Sequence, residues 1–169
     1  MRLSGSFTVA VALMASFTAV ATMVHVPVVG GKVYFNLGDV VVLSSAYLLG
    51  RLGGALAGGM GSALADLLLG YPIWAPITLV IKGIEGLVAG SLCRRRSRLL
   101  AFSAGASVVA VGYPIAAGIL YGPAVVPAEI VTDLVQASAG VLGAMVLTSA
   151  ADRIGLTLAA QNLLSPLKR

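Results

Sequence analysis

The chain has 169 residues, 59% of them hydrophobic and only 10% charged, with a mean hydropathy of +1.01. A soluble domain carries about 25% charged residues, so this composition excludes a water-solvated globule and requires lipid as the solvent. The net charge of +5 does not point to nucleic acid, because the cations sit at the ends of apolar runs, while a lone Cys93 and a lone His25 exclude an intrachain disulfide and a zinc cluster.

A hydrocarbon core about 30 Å thick needs about 20 helical residues to cross it. Six such spans are expected within a single domain covering the whole chain, at about 7–24, 39–50, 52–70, 74–92, 99–120 and 127–151. The first follows Arg2 but is longer than a signal-peptide core, and the later spans need it for topology, so it is expected to be retained. The second is short and borrows length from Tyr34-Phe35-Asn36-Leu37. Leu49-Gly50-Arg51-Leu52-Gly53 leaves almost no loop between the second and third. After the sixth, 154–167 reads as a short interfacial tail with Gln161, Asn162 and Pro166.

Cation placement orients these spans. Arg2, Arg51, Arg94, Arg95, Arg96, Arg98, Arg153, Lys168 and Arg169 all fall on one side if there are six crossings. Both termini are therefore expected in the cytoplasm, and the chain in the cell membrane as a multi-pass protein. Lys32 lies in an outside loop and Lys82 inside a span.

The outside segment His25 to Tyr34 places Gly30-Gly31 between β-prone runs, a hairpin signal. Gly70-Tyr71-Pro72-Ile73 recurs as Gly112-Tyr113-Pro114-Ile115. Duplication and chance both account for so short a repeat.

Small residues recur every four positions at Gly50, Gly54, Gly58 and Ser62. With little side chain on one face, another helix can approach closely, which suits packing of spans two and three in lipid. Ala12, Ala15 and Ala19 mark a similar face on span one, read from spacing as internal packing with a partner interface as the alternative.

Ionisable groups inside a membrane cost several kcal/mol unless paired or hydrated. Lys82 lies near the middle of span four, and Glu85, three residues on, shares its face. Either Glu85 or Asp66 can serve as a structural partner, and a ligand-facing role is compatible with pairing. Asp133 and Gln136 are likewise three apart, after Glu129. Asn36 and Asp39 stand where the hairpin enters span two, and Asp39 is expected to cap that helix. Tyr34, Tyr71, Trp74, Tyr113 and Tyr121 fall near the outer boundary, where interface anchoring explains aromatics. Aromatics with a few convergent polar groups are equally how a ring-shaped ligand is held. No nucleotide-cradling, metal or serine-nucleophile motif is present in the sequence.

Tyr34-Phe35-Asn36-Leu37-Gly38-Asp39, Leu48-Leu49-Gly50-Arg51-Leu52-Gly53-Gly54 and Asp66 resemble the S components of energy-coupling-factor (ECF) vitamin transporters. Gly70-Tyr71-Pro72-Ile73-Trp74-Ala75-Pro76 and Ile81-Lys82-Gly83-Ile84-Glu85-Gly86 continue the match. The similarity is to the riboflavin-type branch, which includes pyridoxine and hydroxymethylpyrimidine members; it is strong from 34 to 90 and looser after. The family usually has Pro after this Leu-Gly; Arg51 departs from that on a cytoplasmic turn, away from any ligand.

The resemblance implies an all-α bundle of six transmembrane helices that captures a vitamin from outside, beneath a gating first outer loop. It then docks on a membrane coupling subunit (T component) driven by two ATP-binding cassette ATPases. It also implies that an Ala-x-x-x-Ala motif on the first helix, here Ala15 and Ala19, faces the coupling subunit. The expected activity is binding without chemistry or cofactor, of a pyridoxine, hydroxymethylpyrimidine or riboflavin-class ligand. The few polar groups favour a one-ring ligand. Tyr34, Trp74 and Tyr113 are expected to stack on it, and Asn36, Asp39, Lys82, Glu85, Asp133 and Gln136 to hold its polar edge. Two other classes remain: an intramembrane enzyme using Asp66, Lys82 and Glu85, and a structural assembly protein whose small-residue faces bind partner helices.

Overall fold

The computed structural model describes residues 5–28 and 33–164, with side chains for 5–25 and 36–160. Arg2, the Gly30-Gly31 turn, Lys32, Lys168 and Arg169 lie outside the described residues. In chain order the elements are α1 (Gly5–Met23), β1 (His25–Val28), β2 (Val33–Asn36), α2 (Gly38–Leu68), α3 (Trp74–Leu92) and α4 (Arg98–Tyr121). A 3₁₀ turn (Pro123–Val125), α5 (Val126–Arg153) and α6 (Leu156–Leu164) follow. Among the described residues, five helices are long and apolar enough to cross a membrane: α1 to α4, and α5 together with its 3₁₀ turn.

Helix α2 holds the two segments expected at about 39–50 and 52–70 and shows why the sequence leaves almost no loop between them. Two helical segments abut without a loop, and between them Gly50 sits at φ 76°, ψ −170°, a conformation that favours glycine because it has no Cβ. The chain turns back there. A Cβ on Gly54 would lie 2.6 Å from the Ala46 Cα, and one on Gly58 would lie 2.7 Å from Val42. In a straight helix positions 42 and 58 are about 24 Å apart, so 38–49 and 51–68 are antiparallel arms hinged at Gly50. The first arm is only about 18 Å long at 1.5 Å per residue. It does not borrow length from Tyr34-Phe35-Asn36, which forms part of strand β2.

The glycine face of the second arm packs on two neighbours. Gly54 and Gly58 meet the first arm, and a Cβ on either would also stand 3.0 Å from a carbonyl oxygen of α3, that of Gly86 for the first and of Lys82 for the second. A Cβ on Gly86 would collide with the Gly54 carbonyl. Backbones in such contact gain dispersion that lipid tails cannot offer. Helix α1 lies against the second arm through Thr18 and the Ala15 carbonyl, which abut Gly61, and through Thr22, which reaches Ser62. Ala19 is buried, Ala15 half-buried and Ala12 exposed, while Val9, Leu13, Phe17 and Val20 point outward.

Cations gather at one end of the bundle. Gly90 of α3 abuts Gly50 and Arg51, and Arg94 approaches Gly50. Arg98 binds Asp152 at 2.8 Å, and Asp152 also accepts from Tyr47 and Thr157. That cluster fastens the first arm, α4, α5 and the start of α6 together. The tail expected at 154–167 is thus helical over Leu156–Leu164, after a turn at Gly155.

The ribbon of β1 and β2 lies at the opposite end, antiparallel, with His25 opposite Asn36 and Val28 opposite Val33. The two matching tetrapeptides do not repeat in structure. Gly70 is in a left-handed turn between α2 and α3 (φ 83°), whereas Gly112 to Ile115 lies inside α4.

Candidate functional site

The polar groups expected inside the spans converge next to the ribbon. Asp39, in the first turn of α2, accepts from the Lys82 ammonium of α3 and from Gln136 Nε2 of α5, the latter at 3.3 Å. Gln136 Oε1 in turn accepts from the Asn36 backbone N–H at 2.9 Å and from Asn36 Nδ2 at 3.1 Å. Asn36 Oδ1 accepts from the Gly38 N–H at 2.8 Å. One buried chain of hydrogen bonds therefore joins the base of the ribbon to α2, α3 and α5.

Asp39 does not cap its helix through its side chain. The N-cap residue is Leu37, and Asp39 is turned into the bundle. The reason is energetic: a buried ammonium in lipid gains far more from a carboxylate than an exposed helix end does. Lys82 also pairs with Glu85 at 3.3 Å, the partner expected from the three-residue spacing. Asp66 is buried near the end of the second arm, four residues before the Gly70 turn.

An aromatic wall adjoins this network. The Tyr113 ring lies 5.7 Å from the Lys82 nitrogen, within cation–π range. Tyr113 donates to Thr78 at 3.2 Å, and its ring is 5.8 Å from that of Trp74. Trp74 donates to the Tyr121 hydroxyl at 2.9 Å and packs in one cluster with Ala117 and Val125. The indole is therefore buried among protein rings rather than sitting as a loose interface anchor. Tyr34 lies in β2, with its backbone opposite Pro27.

Along α5, Glu129, Asp133, Gln136 and Gly140 follow a helical stripe, all buried. Gly140 abuts Asp39, which fixes the direction of the stripe toward the network. Among the described residues beside this network, both Glu85 oxygens, Asp133 Oδ2 and Glu129 Oε2 are buried and accept no hydrogen bond, Glu85 Oε2 being ion-paired with Lys82. Glu129 and Thr78, to which the sequence assigns no role, adjoin this network, as does Tyr121, which it names only among the boundary aromatics. The four-residue step from Glu129 to Asp133 is the visible signal for the first; Thr78 is an ordinary span residue placed by its contact across helices. The arrangement offers aromatic faces and a polar, acceptor-rich edge. Among the described residues no group of His, Cys, Asp and Glu suits a metal ion.

Residues 3–153 match the model of a family described as the ECF-type riboflavin transporter, S component. The chain is 41% identical over 129 residues to a Pyrococcus woesei protein described as "Uncharacterized protein in gap 3'region", covering 74% of this chain and 86% of that one. It is 30% identical over 118 residues to the thiamine precursor transporter HmpT of Lactococcus lactis subsp. cremoris (strain MG1363), covering 70% and 69% respectively. That family is one of transporter components, not enzymes, and its members sit in the membrane and work with ECF coupling and ATPase modules. With its apolar helices and its matched length, the chain belongs to the family of ECF-type riboflavin transporter S components and is a membrane-embedded, vitamin-binding subunit.

Proposed function

We propose that the chain captures a one-ring heteroaromatic vitamin or precursor, of the hydroxymethylpyrimidine or pyridoxine class, in the site between the ribbon, α3, α4 and α5. The observation that carries this reading is the buried network from Asn36 through Gln136 and Asp39 to Lys82 and Glu85, with carboxylate oxygens beside it that accept from no described residue. Lipid penalises such groups heavily, and a polar ligand edge would satisfy them. Tyr34, Trp74 and Tyr113 would supply the stacking faces, and Asn36, Asp39, Lys82, Glu85, Asp133 and Gln136 the polar edge. The name of the HmpT relative supports a thiamine precursor as the ligand class. A flavin, with its ribityl chain, would need more hydroxyl partners than these residues offer.

In this proposal the six helical segments, counting both arms of α2, are six crossings. Both termini lie in the cytoplasm, as the cation-rich end at Arg51, Arg94 and Arg98 supports. The ribbon is then the outer lid, and Asn36 is the hinge through which lid position is felt at Gln136. Loaded, the subunit docks on a coupling subunit driven by two ATPases. Ala15 and Ala19 belong to the docking region of α1; Ala15 is the more accessible of the two, because Ala19 also packs inward.

Calorimetry on purified, monodisperse protein tests the site. Trp74→Ala, Glu85→Gln, Asp133→Asn and Gln136→Ala should each weaken vitamin binding, because each lost hydrogen-bond partner in a buried site costs about 1–3 kcal/mol. Parent-like binding by all four would move the pocket elsewhere.

A further inference from the structure

We infer that Glu129 and Asp133 form a subsite that reads hydrogen-bond donors, selecting an amino-substituted nitrogen heterocycle over its oxo-substituted counterpart. The inference rests on the vitamin-capture reading and deepens it.

Donor and acceptor accounting carries the argument. Among the described residues, the amine, amide and indole donors of the site are engaged inside the protein. Lys82 serves Asp39 and Glu85, Gln136 Nε2 serves Asp39, and Asn36 Nδ2 serves Gln136. Tyr113 serves Thr78 and Trp74 serves Tyr121. The buried side-chain atoms of the site still lacking a hydrogen bond are carboxyl oxygens: both of Glu85, of which Oε2 is ion-paired with Lys82, Asp133 Oδ2 and Glu129 Oε2. Whatever its protonation, each carboxyl keeps at least one oxygen that only accepts. A ligand completing this site must therefore bring donors to those oxygens.

Placement narrows the choice to Glu129 and Asp133. They are 5% and 4% exposed, one turn apart on α5, and Glu129 acts electrostatically on Asp133, as does Lys82. Two buried carboxyls so close resist carrying charge together, and a cationic or donor-rich ring edge relieves that constraint. An amino group beside a protonated ring nitrogen presents two parallel N–H bonds, the geometry that a carboxylate takes bidentately. The aromatic cluster of Trp74 and Val125 ends immediately before α5 begins, so a ring lying against it brings its edge toward Glu129. An oxo group in the same place would set lone pair against lone pair.

The test uses the full chain in detergent and two probes, 4-amino-5-hydroxymethyl-2-methylpyrimidine and its 4-oxo analogue. The parent should bind the amino probe at least about tenfold more tightly, the loss expected when a buried partner goes unpaired. Glu129→Gln and Asp133→Asn should each narrow that preference by weakening the amino probe and sparing the oxo one. Equal affinity of the parent for both probes overturns the inference, and so does an equal loss of both probes in folded variants, while vitamin capture stands. Binding of neither probe, nor of pyridoxine, by the folded parent sinks the capture reading and this inference together.

Discussion

Lys82 and Asp39 form an ion pair with side chains about 1% exposed, between the middle of α3 and the first turn of α2. They are 43 residues apart in sequence, and each has a second partner, Glu85 for the lysine and Gln136 for the aspartate. The pair thus holds the first arm of α2 to α3 while orienting the α5 glutamine that meets the ribbon.

Breaking this pair from one side should be costly. Lys82→Met leaves the Asp39 and Glu85 carboxylates in a buried site without their cation, and removal of one partner of a buried pair costs about 3–5 kcal/mol. Thermal unfolding in detergent should show a large drop for Lys82→Met and a partial recovery for Lys82→Met with Asp39→Asn. Equal stability of parent and single variant would mean that the pair is hydrated or not formed.

The α2–α3 contact predicts an unusually strict glycine. A Cβ at Gly86 meets the Gly54 backbone rather than a movable side chain, so Gly86→Ala should destabilise by about 1–3 kcal/mol through overpacking. Gly5 has open space around it, so Gly5→Ala is the control and should be neutral. Similar unfolding midpoints for the two would show that these helices pack less closely than described.

Docking and internal packing separate on α1. Ala15→Trp should abolish uptake in cells while leaving vitamin binding by the isolated subunit nearly intact. Ala19→Trp should also lower the stability of the subunit, because Ala19 is buried within it. If Ala15→Trp loses binding together with uptake, its face packs the bundle and the coupling subunit docks elsewhere.

Cys93 caps α3 and is a poor reporter of sidedness. Burial pushes its thiol from 9.0 to about 11, a rise that the nearby Arg98 partly opposes. The raised value leaves less thiolate below pH 11, so at pH 8 maleimide labelling should be about a hundredfold slower than in the unfolded chain. The rate should climb until the pH passes about 11. In a Cys93→Ser background, Arg95→Cys and Ala124→Cys are better probes and should label from opposite sides; labelling of both from one side contradicts a single crossing by α4.

The parts of this molecule set by local rules were legible in its sequence. Apolar run length located the long helices, and three-residue spacing paired Lys82 with Glu85 and placed Asp133 beside Gln136 on one face. Relationships between distant segments were not. Nothing near Asp39 signals Lys82, and the local rule that acids favour helix starts gave the wrong role for its side chain. Tyr34-Phe35-Asn36 continues an apolar run, yet it pairs as a strand because the preceding segment folds back on it. The identical tetrapeptides at Gly70 and Gly112 take different conformations because one lies at a chain reversal and the other inside a long helix. Glu129 stood in plain view, but only the unsatisfied oxygens of the folded site give it a purpose.

Native mass spectrometry of the chain purified from cells is the most direct test of vitamin capture. The account predicts a one-to-one complex with a small ring compound of the pyrimidine or pyridine class, retained by the parent and lost from the Glu85→Gln, Gln136→Ala double variant. A parent that carries no small molecule, and acquires none when incubated with hydroxymethylpyrimidine, pyridoxine or riboflavin, would contradict it.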